Sequence, residues 1–223
     1  SNKDNKMATT FKTLNSANDV TSTRTLLHEA IPLTGTIASG TYTDNNIKTY
    51  SRGMFESVYD YPYLSSWANH IFDITTGYAS NSSLSGAASV QNSKKLNVYS
   101  QMAQVLVGYD ATGSIQNFDQ DGDIALGGTK INEAIFVNFS RLLTKDEIKK
   151  GSFSMVISSA SAHEQPVSSS AHLCTISDAV AATSYKVNSP AGEYGILHNA
   201  QSGSGLVPVG LIYYQAGVVM LTS

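Results

Sequence analysis

Apolar positions along this chain follow two rhythms. Over residues 92–108, "NSKKLNVYSQMAQVLVG", Leu96, Tyr99, Ala103 and Leu106 recur every three or four places and so line one stripe of a helix. Asn92 or Ser93 can cap its start, and Gly108 stops it. A similar spacing of Leu64, Trp67, Ala68, Ile71 and Phe72 in "YPYLSSWANHIFDIT" predicts a second helix with an apolar, aromatic face, capped by Ser65 or Ser66. A short turn of helix is expected in "TKDEIKKG" (144–151). There Thr144 and Glu147 fit a capping box, Lys149 and Lys150 complement the helix end, and Gly151 terminates it.

The other rhythm is alternation. "EAIFVNFSRLL" (133–143) sets Ile135, Val137 and Phe139 against Phe136 and Asn138, and "SFSMVIS" (152–158) puts Phe153, Met155 and Ile157 on one face. "HLCTIS" (172–177) and "EYGILH" (193–198) read as further strands. The end of the chain, 206–223, is an uncharged run of 18 residues, borderline for a membrane helix. Pro208, Gly210, Gln215 and Gly217 divide it into "LIYY" and "VVMLT" around a turn, so two buried strands are expected and no membrane partner. The Thr-rich stretch 21–43 fits short strands and turns, and the Gly/Ser clusters at 80–89 and 199–205 fit loops. The expectation is an α+β fold with a strand-dominated C-terminal half and two or three helices. It forms a single domain over 21–223, behind an extended N-terminal arm at 1–20.

Composition changes this picture in one respect. Charged residues make up 14% of the 223, against roughly 25% in ordinary soluble domains, and uncharged polar residues fill the gap. Such a surface does little to repel copies of itself, which favours a homo-oligomer or a partner-bound chain. The net charge of −3 leaves no basic stripe, and Lys94-Lys95 and Lys149-Lys150 are isolated pairs, so direct nucleic-acid binding is not expected. The start, "SNKDNKMATTFKTL", lacks the apolar core of a secretory signal. The lone cysteine, Cys174, has no partner for an internal disulfide and reads as a small buried hydrophobe.

Candidate chemistry is sparse. "DQDGD" (119–123) spaces Asp119, Asp121 and Asp123 as calcium loops begin, but Gly122 falls too early and Lys130 stands where a bidentate Glu belongs. A solvated acidic turn is the expectation, with stability independent of calcium. His28-Glu29 lacks the second histidine of a zinc-protease motif, and His163, His172 and Cys174 follow no ligand spacing. Neither a nucleophile elbow nor a phosphate-cradling glycine motif occurs. No catalytic residue, metal ligand or cofactor is therefore assigned, and no enzyme is expected.

One cluster remains. "VYDYPYLSSWANHIFD" gathers Tyr59, Tyr61 and Tyr63 at alternate positions around Pro62, ahead of Trp67 and Phe72. The helical spacing makes Trp67 and Phe72 core. The tyrosine trio is open to three readings: core, a protein interface, or a ligand platform. Tyr59, Tyr61 and Tyr63 are the candidate interface residues.

Five blocks, "GMFESVYDYPYLSSWANHIFDITTGY", "QNSKKLNVYSQMAQVLVGYDATGSI", "NFSRLLTKDEIKKGSF", "NSPAGEYGIL" and "GLIYYQAGVVMLT", resemble a family of virion structural proteins of marine tailed phages, notably the T4-like phages of cyanobacteria. The resemblance runs over most of the chain from Met7. It implies a non-enzymatic particle component in the tail, baseplate, neck or capsid-associated layer, assembled in the host cytoplasm and located in the virion. Its partners would be copies of itself and other virion proteins. A carbohydrate-binding receptor or adhesion module is the alternative, with the tyrosine trio as its stacking surface.

Overall fold

A computed structural model describes residues 44–50, 54–86, 90–120, 122, 128–140, 147–158, 173–199 and 206–222. Strands dominate: β1 (Ile47–Thr49), β2 (Glu56–Tyr59), β3 (His70–Tyr78), β4 (Phe118–Asp119), β5 (Lys130–Ile131), β6 (Glu133–Phe139), β7 (Ser154–Ser158), β8 (Leu173–Ser177), β9 (Lys186–Ser189), β10 (Gly192–Asn199), β11 (Val207–Tyr213) and β12 (Val218–Thr222). Ten of them form one sheet in the order β1-β2-β3-β6-β12-β11-β10-β8-β7, with β9 pairing β10 off that path; β4 and β5 pair separately. Every pairing is antiparallel.

Among the described residues there is one α-helix, α1 (Val90–Leu106), rather than two or three. It lies where the 92–108 spacing puts it, and it buries Tyr99, Ala103 and Leu106 while Leu96 is half-buried. Gly108, at φ +90°, closes it with its N–H on the Ala103 carbonyl at 2.9 Å, a backbone conformation that a side chain would strain. The helix packs on β3 at Gly77, where an added Cβ would come within 2.9 Å of the Tyr99 nitrogen. A residue with a side chain there would push the helix off the sheet.

The second expected helix does not form. Residues 61–69 are turns and irregular chain, and His70–Tyr78 is the nine-residue strand β3, paired to β6 from Phe72↔Phe139 to Tyr78↔Glu133. The spacing of Leu64, Trp67 and Ile71 matched a helix. However, the stretch from 70 onward is rich in β-branched residues and offers seven paired positions to the central strand, and that ladder wins. Of 144–151, residues 144–146 lie outside the described residues; Glu147–Lys149 are irregular and Lys150-Gly151 form a turn, so the expected helix is not present among 147–151. The arm at 1–20 and the strands expected at 21–43 also lie outside the described residues.

Two cores sandwich the sheet. On the helix side, Phe136, Met220, Leu211, Tyr213 and Tyr194 meet α1 and Phe118. Tyr99 packs edge to face on Phe118 and Phe136, which meet each other tilted, with centroids 5.5–6.4 Å apart. On the opposite side, Val137, Val219, Ile212 and Leu197 are covered by Phe153, Met155, Ile176 and Ala181. The sheet curls enough that Phe153, just before β7, meets Phe139 of β6 at 6.0 Å. Because β12 is buried on both faces, it reads as a continuous apolar run instead of an alternation, and "VVMLT" is a strand as expected.

A buried carboxylate holds the segment that crosses this second face. Asp178 is fully buried; it accepts hydrogen bonds from the Gly151 and Phe153 N–H groups, both at 2.8 Å, and from the Tyr214 hydroxyl at 3.0 Å. Beside it Lys150 pairs with Glu193 at 2.6 Å and lies over the rings of Tyr185 and Tyr214. Burial, then the Asp178 carboxylate, push the Tyr214 hydroxyl well above the usual phenol range.

Candidate functional site

The ten-residue connection between β2 and β3, residues 60–69, is the most unusual surface of the described chain. Its backbone is closed at the neck: Asp60 takes the Asn69 N–H at 2.6 Å and the Asn69 side-chain amide at 2.9 Å, while the Asp60 N–H reaches the Asn69 carbonyl at 3.1 Å. Two turns follow inside the neck, Ser65 N–H to Pro62 O at 2.7 Å and Ala68 N–H to Ser65 O at 3.2 Å. A third tie comes from the turn before β1, where Asn45 O accepts from Tyr63 N–H at 2.9 Å and the Asn46 amide donates to Tyr59 O at 3.2 Å. Asp, Asn, Ser and Pro at these positions are the residues whose short side chains and fixed φ make such turns cheap.

This pinned loop turns apolar side chains outward. Leu64 is 86% exposed and Trp67 77% exposed, which corrects the expectation that Trp67 is a core residue. The reason is that Trp67 precedes β3 by three residues and sits in the turned loop, where no sheet or helix covers it. Of the candidate interface residues, Tyr59 and Tyr63 are half-buried and lean together at 6.4 Å, with Tyr59 also against His70 at 5.5 Å. Tyr61 stands out at 43% exposure. The loop therefore splits the trio into a two-tyrosine base and an outer group of Tyr61, Leu64 and Trp67. Spacing missed Leu64 and Trp67 because it assigned them to a buried stripe; the Asp60–Asn69 pair flanking eight residues that include Pro62, Ser65 and Ser66 was the signal that could have found them.

At the loop's root, Asp73 accepts from the buried Ser57 hydroxyl and contacts His70 Nε2 at 2.8 Å. The carboxylate stands between serine and imidazole, so the imidazole is not placed to take the serine proton as a nucleophile's base must be. The trio is structural cement for the hairpin. Lys95 of α1 donates to Met54 O at 3.4 Å and Thr75 Oγ1 at 3.3 Å; burial lowers its pKa, partly offset by Glu56.

The acidic motif resolves differently from expectation. Asp119 is buried in β4 and ion-paired to Lys130 of β5, so it is no member of a solvated turn; Asp121 and Asp123 lie outside the described residues. Lys130, the residue that broke the calcium pattern, neutralises the first acid of that pattern. Among the described residues no three His, Cys, Asp or Glu side chains gather as a metal site, and no helix is long and apolar enough to cross a membrane. Cys174 is half-buried against the second core. His28, His163 and His172 lie outside the described residues. No family model matches the chain, and no curated protein or solved structure matches it either.

Proposed function

We propose that this chain is a non-enzymatic structural component of a tailed-phage virion, acting through self-association and contacts with other virion proteins. The observation that carries the contact-forming part is the loop 60–69, whose backbone is tied at three places while Tyr61, Leu64 and Trp67 face solvent. Large apolar side chains held rigidly in water cost free energy that only a partner recovers, and rigid aromatics lose little entropy on docking. The sparse charge of the chain fits close packing in an assembly, and the resemblance of its longest sequence blocks supplies the virion setting. Quantitative mass spectrometry of purified particles, before and after salt washing, tests this reading. The chain is expected at fixed copy number in washed particles, and its confinement to the soluble fraction would refute the assignment.

The solvent-facing indole of Trp67 also favours a second reading, a glycan-stacking module, because an exposed indole face suits a sugar ring. Binding to a glycan array that Trp67→Ala abolishes, by a chain absent from particles, would establish that reading instead.

A further inference from the structure

A groove of about 590 Å³ runs between α1 and the β3–β6–β12 part of the sheet, with Met54 and Phe55 ahead of β2 at its side. Val98, Met102 and Val105 form one wall of it, at i, i+4 and i+7 on α1, a second apolar stripe beside the core stripe of Tyr99, Ala103 and Leu106. Met54 lies on the opposite side, and Asn138 and Gln101 add polar groups. Val105 is 61% exposed, so the wall is open to solvent.

We infer that this groove receives the Leu64–Trp67 loop tip of a second copy of the chain, in a head-to-tail contact. The inference rests on the self-association part of the proposed function and names its geometry. Both halves of the contact are present on one chain, yet Leu64 and Trp67 stay exposed instead of entering that chain's own groove, so a second copy is the occupant that supplies both. Charge permits it. Residues 61–69 carry no Asp, Glu, Lys or Arg, and the one charged residue lining the groove, Asp73, is already engaged by Ser57 and His70, so docking desolvates no unpaired charge. An indole N–H needs an acceptor once buried, and the exposed amide oxygens of Asn138 and Gln101 offer one; Met102 is the adaptable wall.

Area argues the same way. With aromatics burying 150–250 Å² each, Tyr61, Leu64 and Trp67 offer about 400 Å², roughly half of what one partner contributes to a standard interface. Each copy, however, gives its loop to one neighbour and its groove to the other, so a closed ring doubles the buried area per chain. A single contact is then weak, and a ring or filament is the stable form, as for any heterologous interface.

Complementation decides it. Trp67→Ser removes the tip and Val105→Glu charges the groove; both positions are exposed, so far-UV circular dichroism and melting should match the wild type, and Gln101→Arg provides a second groove variant. Sedimentation velocity and native mass spectrometry should show multi-chain species for the wild type and monomers for each variant. At high micromolar concentration an equimolar mixture of Trp67→Ser and Val105→Glu should give two-chain species that neither variant forms alone and that grow no further, since one intact tip and one intact groove remain. Monomeric wild type at high micromolar concentration, groove variants that assemble normally, or a mixture at that same concentration that associates no more than each variant alone would each overturn the inference. Particle abundance of the chain is measured separately, so loss of the docking geometry leaves the virion reading standing, and the reverse also holds.

Discussion

Two groups of large aromatic and aliphatic side chains in this chain have opposite fates. Tyr99, Phe118 and Phe136 are almost fully buried between helix and sheet, whereas Tyr61, Leu64 and Trp67 face water. Residue type does not separate them. What differs is the backbone beneath: Tyr99 and Phe136 stand on a helix and a central strand that have each other to cover, while the outer group stands on a loop closed on itself by Asp60 and Asn69. Burial depends on the neighbouring element, and the same chemistry without one becomes a contact surface.

The largest expected effect falls on the buried group. Phe136→Ala empties a ring in contact with Tyr99 and Phe118 and should cost about 3–5 kcal/mol, the usual range for an aromatic removed from a core. Urea unfolding measures it. A loss below about 1 kcal/mol would mean that the helix-side core collapses around the gap and is less specific than its geometry implies.

The contrast also shows what was legible in the sequence. The 92–108 stripe, the alternation at 133–139 and the terminal pair "LIYY"/"VVMLT" were readable because period and burial agree there. The stripe from Leu64 to Phe72 was misleading. Its first members belong to a loop and its last members to a strand, so a spacing of three and four arose across an element boundary. Thr75, Thr76 and Gly77 immediately downstream marked a strand that helix spacing could not see, and strand order, which places β6 between β3 and β12, depends on long-range pairing that no local pattern encodes. Asp119 was unreadable for the same reason, since its partner Lys130 is meaningful only once β4 and β5 pair.

A polar version of the comparison predicts the next effect. Asp178 and Asp60 both organise a loop by accepting two backbone or amide donors, one in the interior and one at the surface. Asp178→Ala should destabilise by about 2–4 kcal/mol, because two N–H groups and the Tyr214 hydroxyl lose their acceptor away from water. Asp60→Ala should cost about 1 kcal/mol or less, since water replaces the carboxylate. Equal losses in thermal and urea unfolding would break the comparison.

A smaller effect is expected from pH. Burial depresses the His198 pKa below its ordinary 6.5, partly offset by a hydrogen bond with the Ile196 backbone. The unfolded chain therefore binds the proton more readily than the folded one, so this contribution to stability is complete above about pH 6.5 and is lost as pH falls through the folded value. His198→Gln should flatten the stability profile between neutral and mildly acidic pH. A profile unchanged by the substitution would assign the acid sensitivity to other groups.

The smallest effect on stability is expected at Trp67, which is also the chain's single tryptophan and so reports on its own environment without competition. Trp67→Ala should change unfolding free energy by no more than about 0.5 kcal/mol, because a surface substitution removes no packing. The wild-type indole, already in water, should emit at long wavelength, be quenched readily by iodide in the dispersed chain, and shift little on unfolding. Raising the protein concentration should then blue-shift its emission and protect it from iodide as the tip enters a partner, without any change in fold. An indole protected from iodide even in the dilute monomer would place Trp67 against its own chain. The two aromatic groups would then differ in position alone, and the contact surface would have to be sought elsewhere.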